Sequence, residues 1–159
     1  MKKLLPLLLF LTLNLSAQTQ AKIPVMTNDE NLPELLQDFY QSARWAKVDY
    51  QGRISELKEV RYVKADLNFF GSVSDDGTVI FLNEELIQYK YLSRVILFRQ
   101  LGKIMGLKED VKGHNIMGSH WEIDAQHEIY AKYLRTISNN QNKIFFDALA
   151  EKNPIDKRI

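Results

Sequence analysis

Apolar positions along this chain change their period several times, and each change marks an element. An unbroken apolar run fills residues 4–15, behind Lys2 and Lys3. From Pro33, which suits a first helical position, Leu35, Leu36, Phe39, Tyr40 and Ala43 recur at helical spacing. That spacing predicts a helix from about Pro33 to Lys47 with one stripe packed on a sheet. A turn-like Tyr50-Gln51-Gly52 comes next. Between Leu57 and Phe70 the pattern becomes strand-like, with Val60, Tyr62, Val63, Leu67, Phe69 and Phe70 as β-formers in partial alternation. Ser74-Asp75-Asp76-Gly77 predicts a turn. Thr78–Leu82 predicts a second strand, and Asn83 a cap for the segment beginning at Glu84.

The helical period returns over Glu84–Gln100. Its run Val95-Ile96-Leu97-Phe98 leaves no polar face, as in a helix buried all round, and Gly106 is a natural stop for it. Ile123, Ile129, Tyr130, Tyr133 and Leu134 predict a helix over Trp121–Arg135. Asn139-Asn140 breaks it, and Phe145, Phe146 and Leu149 mark a short final helix over Lys143–Ala150. Helix, a few strands, buried helix, loop and further helices make the fold class α+β with a small sheet.

A length of 159 residues suits one domain with a real core. Residues 1–17, MKKLLPLLLFLTLNLSA, have the basic start, apolar run and small-residue exit of a secretory signal peptide. The alternative, a membrane anchor, needs about 20 apolar residues, more than this run supplies. The expected division is a signal peptide over 1–17, a flexible polar arm over 18–31 and a folded domain over 32–159. The expected location is secreted or periplasmic, with no stable membrane insertion once the leader is cleaved. Loss of Lys2 and Lys3 with the leader takes the formal charge from +1 to −1. So even a balance gives no reason for a nucleic-acid partner. Cysteine is absent, which excludes a lipoprotein anchor, a thiol nucleophile and a Cys-ligated metal.

Candidate chemistry gathers in Val95–Met117, VILFRQLGKIMGLKEDVKGHNIM. Against the zinc-protease pattern His-Glu-x-x-His-x-x-Gly-x-x-His with its later Met-turn, Arg99 stands at the first His, Gln100 at the Glu and Lys103 at the second His. Gly106 holds the glycine position, Glu109 the third-ligand position and Met117 the Met-turn. Leu101-Gly102 fills the gap between ligand slots, and Asn115-Ile116-Met117-Gly118 closes the stretch. The region resembles metzincin-like metallopeptidases, especially small exported bacterial ones, most clearly over Thr78–Tyr133. The resemblance implies a zincin-like single domain: strands with an edge strand beside the cleft, here Thr78–Leu82, then an active-site helix, a Met-turn and a C-terminal helix. It also implies a peptide-bond hydrolase as ancestor, and places Val79 and Phe81 beside the cleft.

The chemistry of that pattern is specific. Two His at i and i+4 reach one tetrahedral Zn²⁺ from one helix face, and the Glu takes a proton from metal-bound water. Arg99 stays protonated and has no lone pair to offer. Lys103 ligates only when deprotonated, against an ordinary pKa near 10.4. Gln100 keeps the shape of Glu but is no general base. No catalytic set is intact, the ancestral zinc is expected to be lost, and no cofactor is expected. Arg99, Lys103 and Glu109, with Val79 and Phe81, remain as binding candidates for a peptide or protein.

Two adjacent cations on a buried helix need counter-charge. Arg99 paired with Glu109 or Asp110 would replace the metal as the tie between helix and loop; the alternatives are side chains that snorkel to solvent, or cations that hold an anionic ligand. A relocated metal has His114, His120 and His127 to draw on, with Asp124 one helical step from the latter two. An active zinc peptidase with such a site is the alternative function. The leading expectation is an exported pseudoprotease.

Overall fold

The computed structural model describes residues 25–110, 115–136 and 139–156. The expected signal peptide, residues 18–24 of the arm and His114 lie outside them. Leu32, Leu35, Leu36, Phe39 and Ala43 turn inward along helix α1 (Asn31–Trp45), the apolar stripe that the helical spacing predicts. The Asn31 amide donates to Asp29 Oδ1 at 2.9 Å, and the helix ends where Lys47 adopts a left-handed φ of 59°. A short helix α2 (Gln51–Ile54) comes after it.

Four strands form one sheet: β1 (Met26–Thr27), β2 (Glu59–Val63), β3 (Gly71–Val73) and β4 (Val79–Asn83), in the order β1-β2-β4-β3. β1 and β2 are parallel, as are β2 and β4; β3 alone runs antiparallel, hairpinned to β4. The fold is thus α+β with a small mixed sheet. Residues 25–31 are no loose arm. Met26–Thr27 joins the sheet, and Asn28 exchanges hydrogen bonds at 3.0 and 2.9 Å with the Tyr62 backbone, extending the ladder through a side chain.

The strand expected over Leu57–Phe70 is only Glu59–Val63. Asn83, fully buried, donates its Nδ2 to the carbonyls of Asp66 (2.9 Å) and Phe69 (2.8 Å), curling 64–70 into a loop. The same side chain accepts from the Glu85 amide at 3.0 Å, the cap expected of it. A turn over Ser74–Gly77 closes the β3–β4 hairpin, with Gly77 at φ 72°. There Asp76 accepts from Ser74 and Thr78, which lowers its carboxyl to about 2.

Glu84–Gln88 is a 3-10 turn, and α3 (Lys90–Ile104) begins only beyond a bend at Tyr89. Every residue from Leu92 to Gly102 is buried. β3 and β4 cover one side of α3, while α1, α4 (Ala125–Thr136) and α5 (Asn139–Lys152) surround the rest. α4 ends at Thr136, ahead of the predicted break, and Asn139-Asn140 already open α5, which is longer than the expected Lys143–Ala150. Phe39, Phe98, Phe145 and Phe146 meet with centroids 5.1–6.2 Å apart, locking α1, α3 and α5 together. Arg94, 4% exposed, lies 4.1 Å over the Phe98 ring and donates to Asp38 on α1 (2.6 Å) and Asn142 on α5 (3.2 Å). Among the described residues no helix is long and apolar enough to cross a membrane.

Candidate functional site

The buried helix is placed by its two ends. At its start the Glu128 carboxylate of α4 accepts from the Tyr91 amide at 3.1 Å and the Leu92 amide at 2.7 Å, satisfying donors that have no partner within the helix. At its end Gly106, with φ 92°, reverses the chain. The Gly106 amide donates to Lys103 O at 3.0 Å and the Leu107 amide to Gly102 O at 2.9 Å, the paired bonds of a Schellman stop. Asn153 adds its Nδ2 to Met105 O at 3.0 Å.

That reversal carries Glu109 back over the helix. Arg99 Nη2 donates to Glu109 Oε1 at 2.8 Å, and Lys103 Nζ lies 2.5 Å from the same oxygen. The pair expected between Arg99 and Glu109 is therefore present, with Lys103 drawn into it. Asp110, the other expected partner, accepts instead from Asn115 Nδ2 at 2.8 Å. Arg99 is 7% exposed, so its guanidinium does not snorkel to water, whereas the side chains of Lys103 and Glu109 are 32% and 40% exposed. The Lys103 hydrogen bond, and then the Arg99 charge, hold the Glu109 carboxyl below its usual value against the opposing effect of burial. Gln100 is 1% exposed, and its Oε1 has no hydrogen-bond partner; neither has Arg99 Nε.

These donors do not fit a metal. The Glu109 carboxylate is taken up by two cations, and neither a guanidinium nor an ammonium offers a lone pair.

Behind the pair, Asn115–Gly118 forms a tight turn. The Gly118 amide donates to Asn115 O at 2.9 Å, and the Met117 amide to Asn115 Oδ1 at 2.9 Å. The turn is stitched to the returning chain by the Asp110 amide, which donates to Met117 O at 3.0 Å. Met117 rests against the glycine of α3: a Cβ on Gly102 would lie 3.0 Å from Met117 Sδ and 3.0 Å from Phe145 Cε2. Beyond Met117 a cavity of about 200 Å³ opens between the turn and α5, lined mainly by Leu107, Ile116, Met117, Ile144, Phe145 and Ala148.

Val79 and Phe81 are placed differently from expectation. β4 is an interior strand, so the sheet edge beside α3 is β3. A Cβ on Gly71 would lie 3.2 Å from Ile96 Cγ2, which puts Gly71 and its partner Leu82 on the helix side. Strand alternation then sends Val79 and Phe81 to the opposite face, where both are half-buried. They share no face with Arg99 and Lys103.

Of the histidines, His114 lies outside the described residues, while His120 and His127 pack on the same ring, that of Trp121. His120 stacks on Trp121 with centroids 5.4 Å apart. His127 Nδ1 lies 3.0 Å from Asp124 Oδ1, and Glu122 joins them, one ligand atom from each lying within 4.8 Å of the others. Asp124 also accepts from the His127 amide at 2.7 Å at the start of α4, the first cause of its lowered carboxyl pKa. Nothing in the sequence singles out Glu122 or the helix-capping Glu128, which have neither periodic nor motif spacing. Gly102 lies within Val95–Met117, but its role as a seat for Met117 has no sequence signal.

Compared with protein-family models, curated proteins and solved structures, the chain matches none.

Proposed function

We propose that this is an exported, catalytically inactive zincin-like protein that binds an extended peptide in the place of a former substrate cleft. The observation that carries the reading is the Arg99–Glu109–Lys103 cluster, which occupies the three ligand slots with groups bonded to one another. Support comes from the order of parts: a helix behind the sheet, a sharp glycine stop, a returning acidic residue, and a tight turn with Met117 against the helix. Gln100 in the base position keeps the outline of a carboxylate without its basicity. An antiparallel edge strand remains beside the helix to receive a chain by β-addition. Lys2, Lys3 and the apolar run behind them support export.

The test is incubation with a mixed peptide pool before and after zinc loading, read for both capture and cleavage by mass spectrometry. Capture without cleavage is expected. Zinc-dependent cleavage overturns the reading. The grouping of Glu122, Asp124 and His127 favours one second reading, a peptidase with a relocated metal. Stoichiometric zinc retained after dialysis and lost in His127→Ala, together with peptide cleavage lost in the same variant, would establish that alternative.

A further inference from the structure

Among the described residues β3 ends one side of the sheet, and the cation pair follows on α3 one and two turns beyond the point where β3 rests on it. Asn83 N donates to Phe70 O at 3.0 Å and Ser74 N to Val79 O at 2.8 Å, on either side of the pairs Gly71↔Leu82 and Val73↔Ile80. Antiparallel ladders alternate, so the backbone N–H and C=O groups of Gly71 and Val73 point away from β4, to the side where no described strand pairs. Gly71 rests on Ile96. Arg99 and Gln100 come one helical turn after Ile96 and Lys103 two, so all four share a face. The rise from Ile96 to Lys103 is about 11 Å along the axis.

Charge along that face is unbalanced, with two cations on a single Glu109 oxygen. Lys103 has three ammonium donors. One is engaged by Glu109, and its side chain is partly open to solvent. Beside it Arg99 Nε and Gln100 Oε1 are buried without partners.

We infer that Lys103, with Arg99 behind it, receives the C-terminal carboxylate of an extended peptide paired to the outward groups of Gly71 and Val73. A three-residue strand gives such a chain few main-chain bonds, so an ionic anchor at its end supplies the rest. Glu109 keeps Arg99 neutralised while Lys103 turns its free donors to the ligand. The inference rests on the peptide-binding reading above and adds the end of the peptide that is recognised.

The experiment captures a pool of acetylated random hexapeptides on the full-length chain, once as free acids and once as C-terminal amides. Free acids are expected to be enriched about tenfold over amides, the effect of one charge-assisted hydrogen bond. Lys103→Met should abolish that preference and Lys103→Arg should retain it, with thermal unfolding confirming that both variants fold. N-methylation of alternate peptide amides should weaken capture in one register only. Equal capture of acids and amides overturns this inference and leaves peptide binding standing. Preference for internal Asp or Glu irrespective of the terminus overturns it too. Capture of neither pool overturns both readings.

Discussion

Replacing Glu109 by Gln removes the carboxylate and leaves Arg99, 7% exposed, as a buried cation without its partner. Breaking a fully buried pair costs about 3–5 kcal/mol, while an exposed pair is worth about 0–1 kcal/mol. The Glu109 side chain is 40% exposed, so water screens the site and relieves part of the cost, which places the expected loss at about 2 kcal/mol. For a chain of this size that is a fall of about 6 °C in Tm. Arg99→Met should behave differently. It removes the buried charge, fills similar space, and leaves Glu109 hydrated and held by Lys103, with an expected loss under about 1 kcal/mol. The double variant should sit close to Arg99→Met alone. Urea unfolding of the three variants measures all of this, provided the slopes are unchanged. A loss below about 0.5 kcal/mol for Glu109→Gln, or a larger loss for Arg99→Met, would refute the claim that the pair ties helix to loop.

Other outcomes rest on the same packing. Because Glu109 has a lowered pKa in the fold, its contribution is complete above the ordinary carboxylate value of 4.5 and lost as pH falls through the lowered value. The stability gap between wild type and Glu109→Gln should therefore be flat near neutrality and shrink below 4.5; a gap that widens on acidification contradicts this. Arg94→Lys keeps the charge but loses the fork joining Asp38 and Asn142 and the stacking on Phe98, and should cost about 2 kcal/mol or more by chemical denaturation. Lys47→Gly should raise stability by about 0.5–1 kcal/mol by relieving a left-handed φ of 59°, seen as a higher urea midpoint.

Legibility in the sequence depended on the physics of each segment. The burial of α3 was readable because Val95–Phe98 leaves no polar face, and the helix stop because glycine alone adopts the φ of Gly106 without strain. The pairing of Arg99 was readable from the cost of a buried charge. Leu67, Phe69 and Phe70 resemble a strand, yet the Asn83 side chain holds the loop to which they belong, and no local pattern encodes so distant a contact. The resemblance sets Val79 and Phe81 beside the cleft, and strand alternation, which says which residues share a face but not which face meets a helix, cannot correct it. The edge position was misread because the three residues of β3 are too few to show a period. Ile129 and Tyr133 supported a helix correctly, but both lie exposed on it, with Ala131 and Leu134 turned inward.

The carboxylate of Glu128 carries a consequence for biosynthesis. It answers the first amides of α3 from a position 36 residues later than Leu92, so a chain emerging from the ribosome exposes the positive end of its most apolar helix well before the answering anion exists. Chains halted ahead of Ala125 lack that anion and the surfaces of α4 and α5 that pack on the helix. The element at the centre of the molecule is thus completed by segments made after it.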